Sequence, residues 1–401
     1  MTATQHTSTR PTSSDRRRSP IAAALVALLA VGTTATALSG AAAAAPETSR
    51  RVDLATPTFS DPTNITNPLF AIGLDQVVQL GAEGDVALRH DITLLDHTQV
   101  IHWDGRDIEA IVSQFVAYGD GEILEVATDY FAQADDGSVW YLGEDVTNYE
   151  DGKVANHDGT WRAGRDGPGG MIMPANPQVG DVYMPENIPG LVFEEVTVMQ
   201  TGLVVDGPTG PVSGAILVQE RLLDGTLEDK VFAPGYGEFQ ASVPSADELV
   251  TVAVAVPIDA ADGPGRRALE QLSQSTRNLF QQARTGNWSR LTALSGDVHR
   301  LWDATSATGV PPLLATQITD ILDVLDAALV AHDRTGLRQA AIHLELASLD
   351  VELQYEGVAD VDGDRLEVWN LQRKLHRSIG DSIGAASDRV IIAAIRDRSA
   401  H

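Results

Sequence analysis

The chain has 401 residues, of which 43% are hydrophobic, and it contains no cysteine. This length is sufficient for two domains with cores of their own, and the lack of cysteine excludes disulfides, thiolate metal ligands and cysteine nucleophiles. The formal net charge of −28 argues against a nucleic-acid partner, because phosphate backbones are bound through Lys and Arg. An acidic surface suits cationic ligands or metal ions, although a solvated surface on a secreted protein is the simpler interpretation.

Residues 1–45 have the pattern of a cleavable signal peptide. Three basic residues at Arg16–Arg18 precede a short apolar run at 21–31, and small residues then continue to Ala45. This order of basic, apolar and Ala-rich segments is typical of export signals, and the apolar run is too short for a comfortable membrane span. We therefore expect a flexible lead-in over 46–60 and a soluble, secreted protein with no membrane span once the signal is removed.

Residues 61–257 are predicted to form an antiparallel β domain. Four Asp-Gly pairs begin at Asp104, Asp120, Asp136 and Asp151 and lie between runs of β-branched and aromatic residues, which is the strongest short-range signal for hairpins. The strands between these turns reach about 14 residues, which exceeds the usual strand length. Because long strands twist and coil, we predict a long-stranded, curved, half-barrel-like meander that contains β-bulges.

The turns also give a provisional register across the predicted sheet. They place Asp129 opposite Glu144, Val112 beside Asp129, His97 beside Val112, and His157 diagonal to Glu144. Like charges that face each other across a ladder are unfavourable, so we expect a cation, a proton, an arginine or water between them. Since two histidines and two carboxylates suit a divalent metal such as zinc, the candidate metal ligands are His97, Asp129, Glu144 and His157.

The facing carboxylates have two other interpretations. Asp129 and Glu144 would suit acid–base chemistry on a sugar substrate, or the face that holds them simply meets solvent. The second interpretation follows from the sensitivity of β structure to register, because a slip of one residue moves every side chain to the other face. The sequence has no nucleophile elbow, P-loop or His-Glu-x-x-His motif that would identify an activity.

Four aromatic residues are candidates for contact with a ligand. The register places Tyr130 and Tyr141 on a face that forms either the core or the wall of an apolar cavity, and it places Trp140 on the face of Asp129. Trp161 begins the loop 161–183, within the Gly- and Pro-rich stretch 159–189, and we predict that this loop folds over one end of the sheet as a lid. The candidate ligand-binding residues are therefore Tyr130, Tyr141, Trp140 and Trp161.

Residues 265–398 are predicted to form an antiparallel α-helical bundle after a linker at 258–264. Apolar residues recur at helical spacing, with Pro, Asn or Asp at the expected helix starts, including Asp362 or Asp364 for the fifth helix. The predicted helices are 265–284, 288–306, 311–331, 335–355, 364–380 and 382–397, and their short links favour antiparallel packing. In the fourth, His343 and Asp350 lie between two apolar stripes and are a second candidate metal or ligand site.

Several segments of the β region resemble a group of exported bacterial proteins of unassigned function. The segments are 129–144 (DYFAQADDGSVWYLGE), 159–164 (GTWRAG), 170–181 (GMIMPANPQVGD) and 233–237 (APGYG). The resemblance covers roughly 60–256 and implies no catalytic residues. The helical part is similar to helical tails of other exported proteins, and the curved sheet resembles the half-barrels of bacterial lipoprotein carriers at the level of the fold alone.

Three functions follow from these patterns. The first is a secreted, non-catalytic protein that binds a small apolar or cell-envelope ligand in the β domain, with the helical bundle as a module for a partner or a second ligand. The second is divalent-metal binding by the residues above, and the third is hydrolysis of cell-wall or sugar substrates through Asp129 and Glu144.

Overall fold

The computed structural model describes residues 48–72, 76–83, 86–242, 251–256 and 265–399. The signal peptide predicted at 1–45 and the linker predicted at 258–264 lie outside these residues. The N-terminal part is a curled antiparallel half-barrel sheet and the C-terminal part contains six helices, which confirms the predicted α+β class. No helix in the described ranges is long and apolar enough to cross a membrane.

One sheet contains all fifteen strands of the described residues. The strands are β1 (Arg50–Arg51), β2 (Gln76–Glu83), β3 (Val86–Trp103), β4 (Arg106–Gly119), β5 (Glu122–Gln133), β6 (Val139–Glu150), β7 (Lys153–Asn156), β8 (Trp161–Arg162), β9 (Gly170–Met173), β10 (Asp181–Ile188), β11 (Val192–Gly207), β12 (Gly210–Leu222), β13 (Leu227–Ala233), β14 (Gly237–Ser242) and β15 (Thr251–Val256). In the spatial order of neighbouring strands, β10 to β15 are followed by β2 to β7, because β15 pairs with β2. The predicted lead-in carries β1, which pairs in parallel with β10.

The four Asp-Gly pairs connect neighbouring antiparallel strands, as predicted. Asp104, Asp120 and Asp151 have positive φ angles of 53°, 51° and 54°, as have the glycines that follow them, and this is the backbone that two-residue type I′ turns require. Asp136 lies in a longer loop between β5 and β6, where only its glycine has a positive φ.

β-Bulges break the predicted register and change which residues share a face. The pairing of β4 with β5 shifts between Ala117 and Tyr118, so Ser113, and not Val112, lies opposite Asp129. The pairing of β5 with β6 shifts after Asp129, although Asp129 faces Glu144 as predicted. Because each shift of one residue exchanges the faces, Tyr141, which was predicted for the other face, lies with Phe115 on the side of Asp129 and Glu144.

The predicted lid is part of the wall of the half-barrel. The stretch 159–189 contains β8, β9 and β10, and β10 pairs with β11 along five residues. β9 pairs with β6 and packs closely on β10: a Cβ on Gly170 would collide with the carbonyl of Pro185. The glycines of this stretch therefore serve close backbone approach, and the lid prediction is wrong.

The six helices agree with the predicted positions to within a few residues. They are α1 (Gly265–Gln282), α2 (Trp288–Ser306), α3 (Pro312–Val330), α4 (Arg334–Glu352), α5 (Val358–Ile379) and α6 (Ser382–Arg398). Only α5 departs clearly, since it begins well before the predicted start at 364. Asp362, predicted as a cap, lies inside the helix, where it accepts hydrogen bonds from Arg365 and Arg398.

The helices cover the outer face of the half-barrel. Val116, Tyr118 and Ile123 of the sheet pack against Trp369 of α5 and against Ile391, Ile392 and Ile395 of α6. A buried ionic network lies beside this apolar contact and contains Arg89, Asp91, Asp350, Asp362, Arg365 and Arg398. Asp350 accepts hydrogen bonds from Arg89 at 2.8 Å and from Arg365 at 2.7 Å. The predicted His343–Asp350 pair does not form, because His343 contacts Gln339 instead.

Candidate functional site

The concave side of the sheet lines an open cavity of about 240 Å³. Its walls combine aromatic and aliphatic side chains with carboxyl groups. The apolar lining includes Phe70, Ile72, Val77, Ile92, Phe115, Ala127, Phe131, Tyr141, Val146, Val192, Phe193, Phe232 and Tyr236. The charged lining comprises Glu125, Asp129, Glu144, Asp158, Glu186, Glu194, Glu220, Lys230 and Glu238. A concave, mostly apolar site with a few convergent polar groups is the usual form of a small-molecule site.

A bulge in β6, between Tyr141 and Glu144, brings an aromatic pair and an acidic pair onto one wall. Phe131 faces Tyr141 on one side of the bulge, with ring centroids 4.8 Å apart in a stacked arrangement. Asp129 faces Glu144 on the other side of it. Without the bulge, Tyr141 would lie on the opposite face from Glu144, because side chains three residues apart in a regular strand point to opposite faces.

Four carboxyl groups from three strands form what we call the acid cluster: Glu125, Asp129, Glu144 and Glu186. Asp129 Oδ1 accepts a hydrogen bond of 2.8 Å from the Tyr141 hydroxyl, and Glu186 Oε1 accepts one of 2.6 Å from Trp161 Nε1. Glu144 and Glu186 are joined by a hydrogen bond between their carboxyl groups. Within the described part of the chain, no Lys, Arg or His forms a salt bridge with any of the four.

Burial without a cation changes the protonation of the acid cluster. Burial raises the pKa of Asp129 to about 7, against the hydrogen bond from Tyr141. Burial raises the pKa of Glu125 and of Glu186 to about 7 as well. The pKa of Glu144 lies well above its ordinary value because of burial and the neighbouring carboxylates Glu186 and Asp129. Near neutral pH the cluster therefore retains protons, and Glu144 donates one to Glu186.

Ser113 completes this wall of the cavity. It lines the cavity directly across the β4–β5 ladder from Asp129, and its side chain is fully buried. Its hydroxyl has no hydrogen-bond partner among the described residues. A buried hydroxyl without a partner is costly, so this position favours a ligand that can donate or accept a hydrogen bond there.

A second group of carboxylates, the lysine cluster, surrounds Lys230 on the other wall. Lys230 Nζ lies 2.9 Å from Glu220 Oε2, 3.3 Å from Glu238 Oε2 and 3.8 Å from Glu228 Oε2. Burial lowers the pKa of Lys230, but the surrounding carboxylates raise it more, so it stays well above its ordinary value. Here the chain supplies its own buried cation, in contrast to the acid cluster.

Two of the four predicted ligand-binding aromatic residues belong to this site. Tyr141 lines the cavity, and the fully buried Trp161 packs edge-on behind it with ring centroids 5.4 Å apart. The other two lie elsewhere: the Tyr130 hydroxyl donates to Asp145 at 2.9 Å, and Trp140 Nε1 donates to Ser138 at 3.0 Å. Neither Tyr130 nor Trp140 lines the cavity.

The four predicted metal ligands do not converge. Asp129 and Glu144 face each other, but His157 is exposed, with its Nδ1 2.8 Å from the Val146 carbonyl oxygen. His97 lies in the irregular segment of β3 between Leu94 and Thr98. Neither histidine lines the cavity, and no group of three or more His, Asp or Glu side chains in the described ranges is arranged to hold a metal ion.

Comparisons with protein-family models, with curated proteins and with solved structures found no match. The function of this chain is therefore argued from its site.

Proposed function

We propose that this protein is an exported, non-catalytic binding protein that holds a small ligand with an apolar body inside the half-barrel. The observation that supports this proposal is the cavity on the concave face, whose walls are mainly aromatic and aliphatic. Burial of apolar ligand surface against such walls is favourable by about 25 cal/mol per Å². The carboxyl groups and Ser113 would orient the ligand.

The volume of the cavity limits the ligand to a small molecule. About 240 Å³ is near the lower end of the range of small-molecule sites, which is roughly 300–1,000 Å³. This size fits a short-chain amphiphile or a fragment of an envelope component better than an intact lipid with two acyl chains.

Export is the part of the proposal that rests on sequence. The basic segment Arg16–Arg18, the apolar run 21–31 and the small residues up to Ala45 support a cleavable signal. We expect mass spectrometry of the culture medium to show a secreted protein whose mature N-terminus lies near Ala43–Ala45. Retention of the intact N-terminus inside the cell contradicts export.

The binding proposal is tested with 1-octanol, a neutral probe of suitable size. Isothermal titration should show saturable binding to the full chain and a loss of binding in Ala127→Phe, because Ala127 lines the cavity and the added ring fills it. Val154→Phe, at an exposed position of β7, is the matched control and should bind as the unmodified chain does. Absence of octanol binding to the unmodified chain, or equal binding by Ala127→Phe, contradicts the proposal.

A hydrolase is the second candidate, favoured by Asp129 and Glu144, which face each other in the cavity. Burial raises the pKa of Glu144 well above its ordinary value and that of Asp129 to about 7, and glycoside hydrolysis uses one protonated and one ionised carboxyl group on either side of the scissile bond. Turnover of chromogenic glycosides between about pH 5 and pH 8 that is lost in Glu144→Gln would support it. No turnover, or turnover unchanged by Glu144→Gln and Asp129→Asn, removes this candidate.

A further inference from the structure

The lysine cluster and the acid cluster of the cavity differ in one respect: in the described part of the chain, only the lysine cluster contains a basic side chain that balances its carboxylates. The lysine cluster places one primary ammonium, Lys230 Nζ, among three carboxylates. The acid cluster has four carboxyl groups and, within the described residues, no salt bridge to a basic side chain. The lysine cluster thus already binds an ammonium group, that of Lys230. The acid cluster is also rich in carboxyl groups and could bind an ammonium group from a ligand.

Ser113 is an independent sign of a ligand at the acid cluster. Its fully buried hydroxyl lines the cavity opposite Asp129 and has no hydrogen-bond partner in the described structure. The hydroxyl oxygen can accept a hydrogen bond from a bound group while its proton turns toward a carboxylate. Solvent or a protein side chain normally satisfies such a group.

Neutral donors hold the acid cluster in place without cancelling its charge. Tyr141 binds one oxygen of Asp129 at 2.8 Å, and Trp161 binds one oxygen of Glu186 at 2.6 Å. Asp129 keeps its second oxygen for another partner, whereas Glu186 is also hydrogen-bonded to Glu144. Trp161 is itself fully buried, so its indole fixes the orientation of Glu186 from behind the wall.

We propose that the acid cluster and Ser113 bind a primary ammonium group, and hence that the ligand of the cavity is a small organic amine. This inference rests on the proposed function, since it requires the cavity to be a ligand site. The three N–H donors of an ammonium meet Ser113 Oγ, the second oxygen of Asp129 and a carboxyl oxygen of Glu144 or Glu186. The carbon body of the amine then lies against Phe115, Phe131 and Tyr141, which line the same wall.

The chemistry of the wall favours an amine over other cations. A quaternary ammonium has no N–H to offer Ser113, and a divalent metal requires several ligands at short, defined distances, which no cluster in the described ranges provides. An apolar lining next to the carboxyl groups suits a cation that is attached to a hydrocarbon.

Binding of an amine should release protons from the acid cluster. The raised pKa values of Glu125, Asp129 and Glu186, each about 7, leave part of the cluster neutral in the empty protein, whereas an ammonium stabilises the ionised form. An alkyl ammonium keeps its own proton up to about pH 10. Affinity should therefore rise from about pH 5.5 to pH 8. The other charged groups and hydroxyls that face the site are Ser113, Tyr141, Asp158, Glu194, Glu220, Lys230, Tyr236 and Glu238.

The experiment compares octylamine, 1-octanol and octyltrimethylammonium by isothermal titration with the full chain at about pH 7.5. Octylamine should bind at least about tenfold more tightly than either of the others, as expected for charge-assisted hydrogen bonds. Ser113→Ala and Glu144→Gln should each lower octylamine affinity at least about tenfold, and each should lower it by a larger factor than it lowers octanol affinity. Asp145→Asn is the matched control, because Asp145 follows Glu144 but pairs with Arg162 outside the cavity.

Each outcome separates the two proposals. Equal binding of octylamine and octanol overturns the amine site and leaves the cavity proposal standing, whereas binding of neither overturns the proposed function. An effect of Asp145→Asn as large as that of Glu144→Gln would mean that bulk negative charge attracts the amine, and this also overturns the site. Should Glu144→Gln fail to fold, Ser113→Ala decides alone, since a serine-to-alanine change leaves the buried carboxyl groups in place.

Discussion

The hydroxyl of Tyr141 donates a 2.8 Å hydrogen bond to Oδ1 of Asp129, and this bond joins the apolar and acidic parts of the cavity. The two residues lie on adjacent strands, and Tyr141 also stacks on Phe131. A neutral donor thus holds a carboxyl group that has no salt bridge in the described part of the chain, and this arrangement leaves the charge of Asp129 for a ligand.

Removal of that donor should raise the pKa of Asp129 further. The hydrogen bond from Tyr141 opposes the effect of burial, so Tyr141→Phe should move the Asp129 titration above about 7 and reduce stability by about 1 kcal/mol. Carbon-detected NMR titration of side-chain carboxyls measures the shift. Tyr130→Phe, which removes a hydroxyl bound to Asp145, should leave Asp129 unchanged. An Asp129 pKa that falls or stays constant in Tyr141→Phe contradicts this account.

The ligand-free protein should lose stability as pH rises through the neutral range. A carboxyl group whose pKa is higher in the folded chain than in the unfolded chain binds protons on folding, so its contribution is present at low pH and disappears as pH approaches the folded value. For Glu125, Asp129 and Glu186 this window runs from the ordinary values near 4 to about 7. Urea denaturation should therefore give a lower free energy of unfolding at about pH 8 than at about pH 5.5.

The double variant Glu125→Gln/Asp129→Asn identifies the groups responsible for this pH dependence. It should flatten the loss of stability between the two pH values, because the amides cannot titrate. Asp145→Asn, outside the cavity, should keep the slope of the unmodified chain. A slope unaffected by the double variant would assign the pH dependence to other groups.

Loss of the buried lysine should destabilise the fold in a pH-dependent way. Lys230→Met leaves Glu220, Glu228 and Glu238 without their cation, and an uncompensated buried charge costs about 3–5 kcal/mol. The cost should be largest at about pH 8.5 and smaller at about pH 5.5, where protonation of Glu228, whose pKa is raised to about 8 by burial, relieves the repulsion. Thermal unfolding measures the cost, and the control is Lys153→Met, which replaces an exposed lysine on β7. An equal loss of stability in Lys230→Met at both pH values contradicts the prediction.

The ionic network should hold the helices on the half-barrel. Asp350→Asn removes the partner of Arg89 and Arg365, and the buried arginines left behind should destabilise the protein by about 3–5 kcal/mol. Hydrogen exchange should increase in α4 and α5, and urea denaturation should show the loss. Asp320→Asn, at an exposed position of α3, should have no measurable effect. Unchanged protection of α4 and α5 in Asp350→Asn would show that apolar packing alone retains the helices.

The hairpins and helices were predictable because their signals are local. An Asp-Gly pair between β-forming runs predicts a turn from two residues, and the positive φ angles of Asp104, Asp120 and Asp151 are the backbone state that makes this pair suitable. The facing pair Asp129–Glu144 was predicted for the same reason, since only one short connection separates its strands.

The composition of the cavity was less predictable because β-bulges have weak sequence signals. The shift at Ala117 and the shift after Asp129 decide that Phe115, Ser113 and Tyr141 share a face with the carboxyl groups. Glu186 and Glu220 were missed for a different reason. A glutamate that alternates with apolar residues in a strand normally predicts a solvent-facing side, whereas here the polar positions point into the half-barrel.

The most direct measurement is a crystal structure of the full chain with 8-bromooctylamine, in which anomalous scattering locates the bromine. We expect one bromine position within the cavity of the half-barrel, with the amine nitrogen within about 3.2 Å of Ser113 Oγ and of a carboxyl oxygen of Asp129. A bromine outside the cavity, or a reversed molecule with bromine at the acid cluster and nitrogen elsewhere, would contradict it.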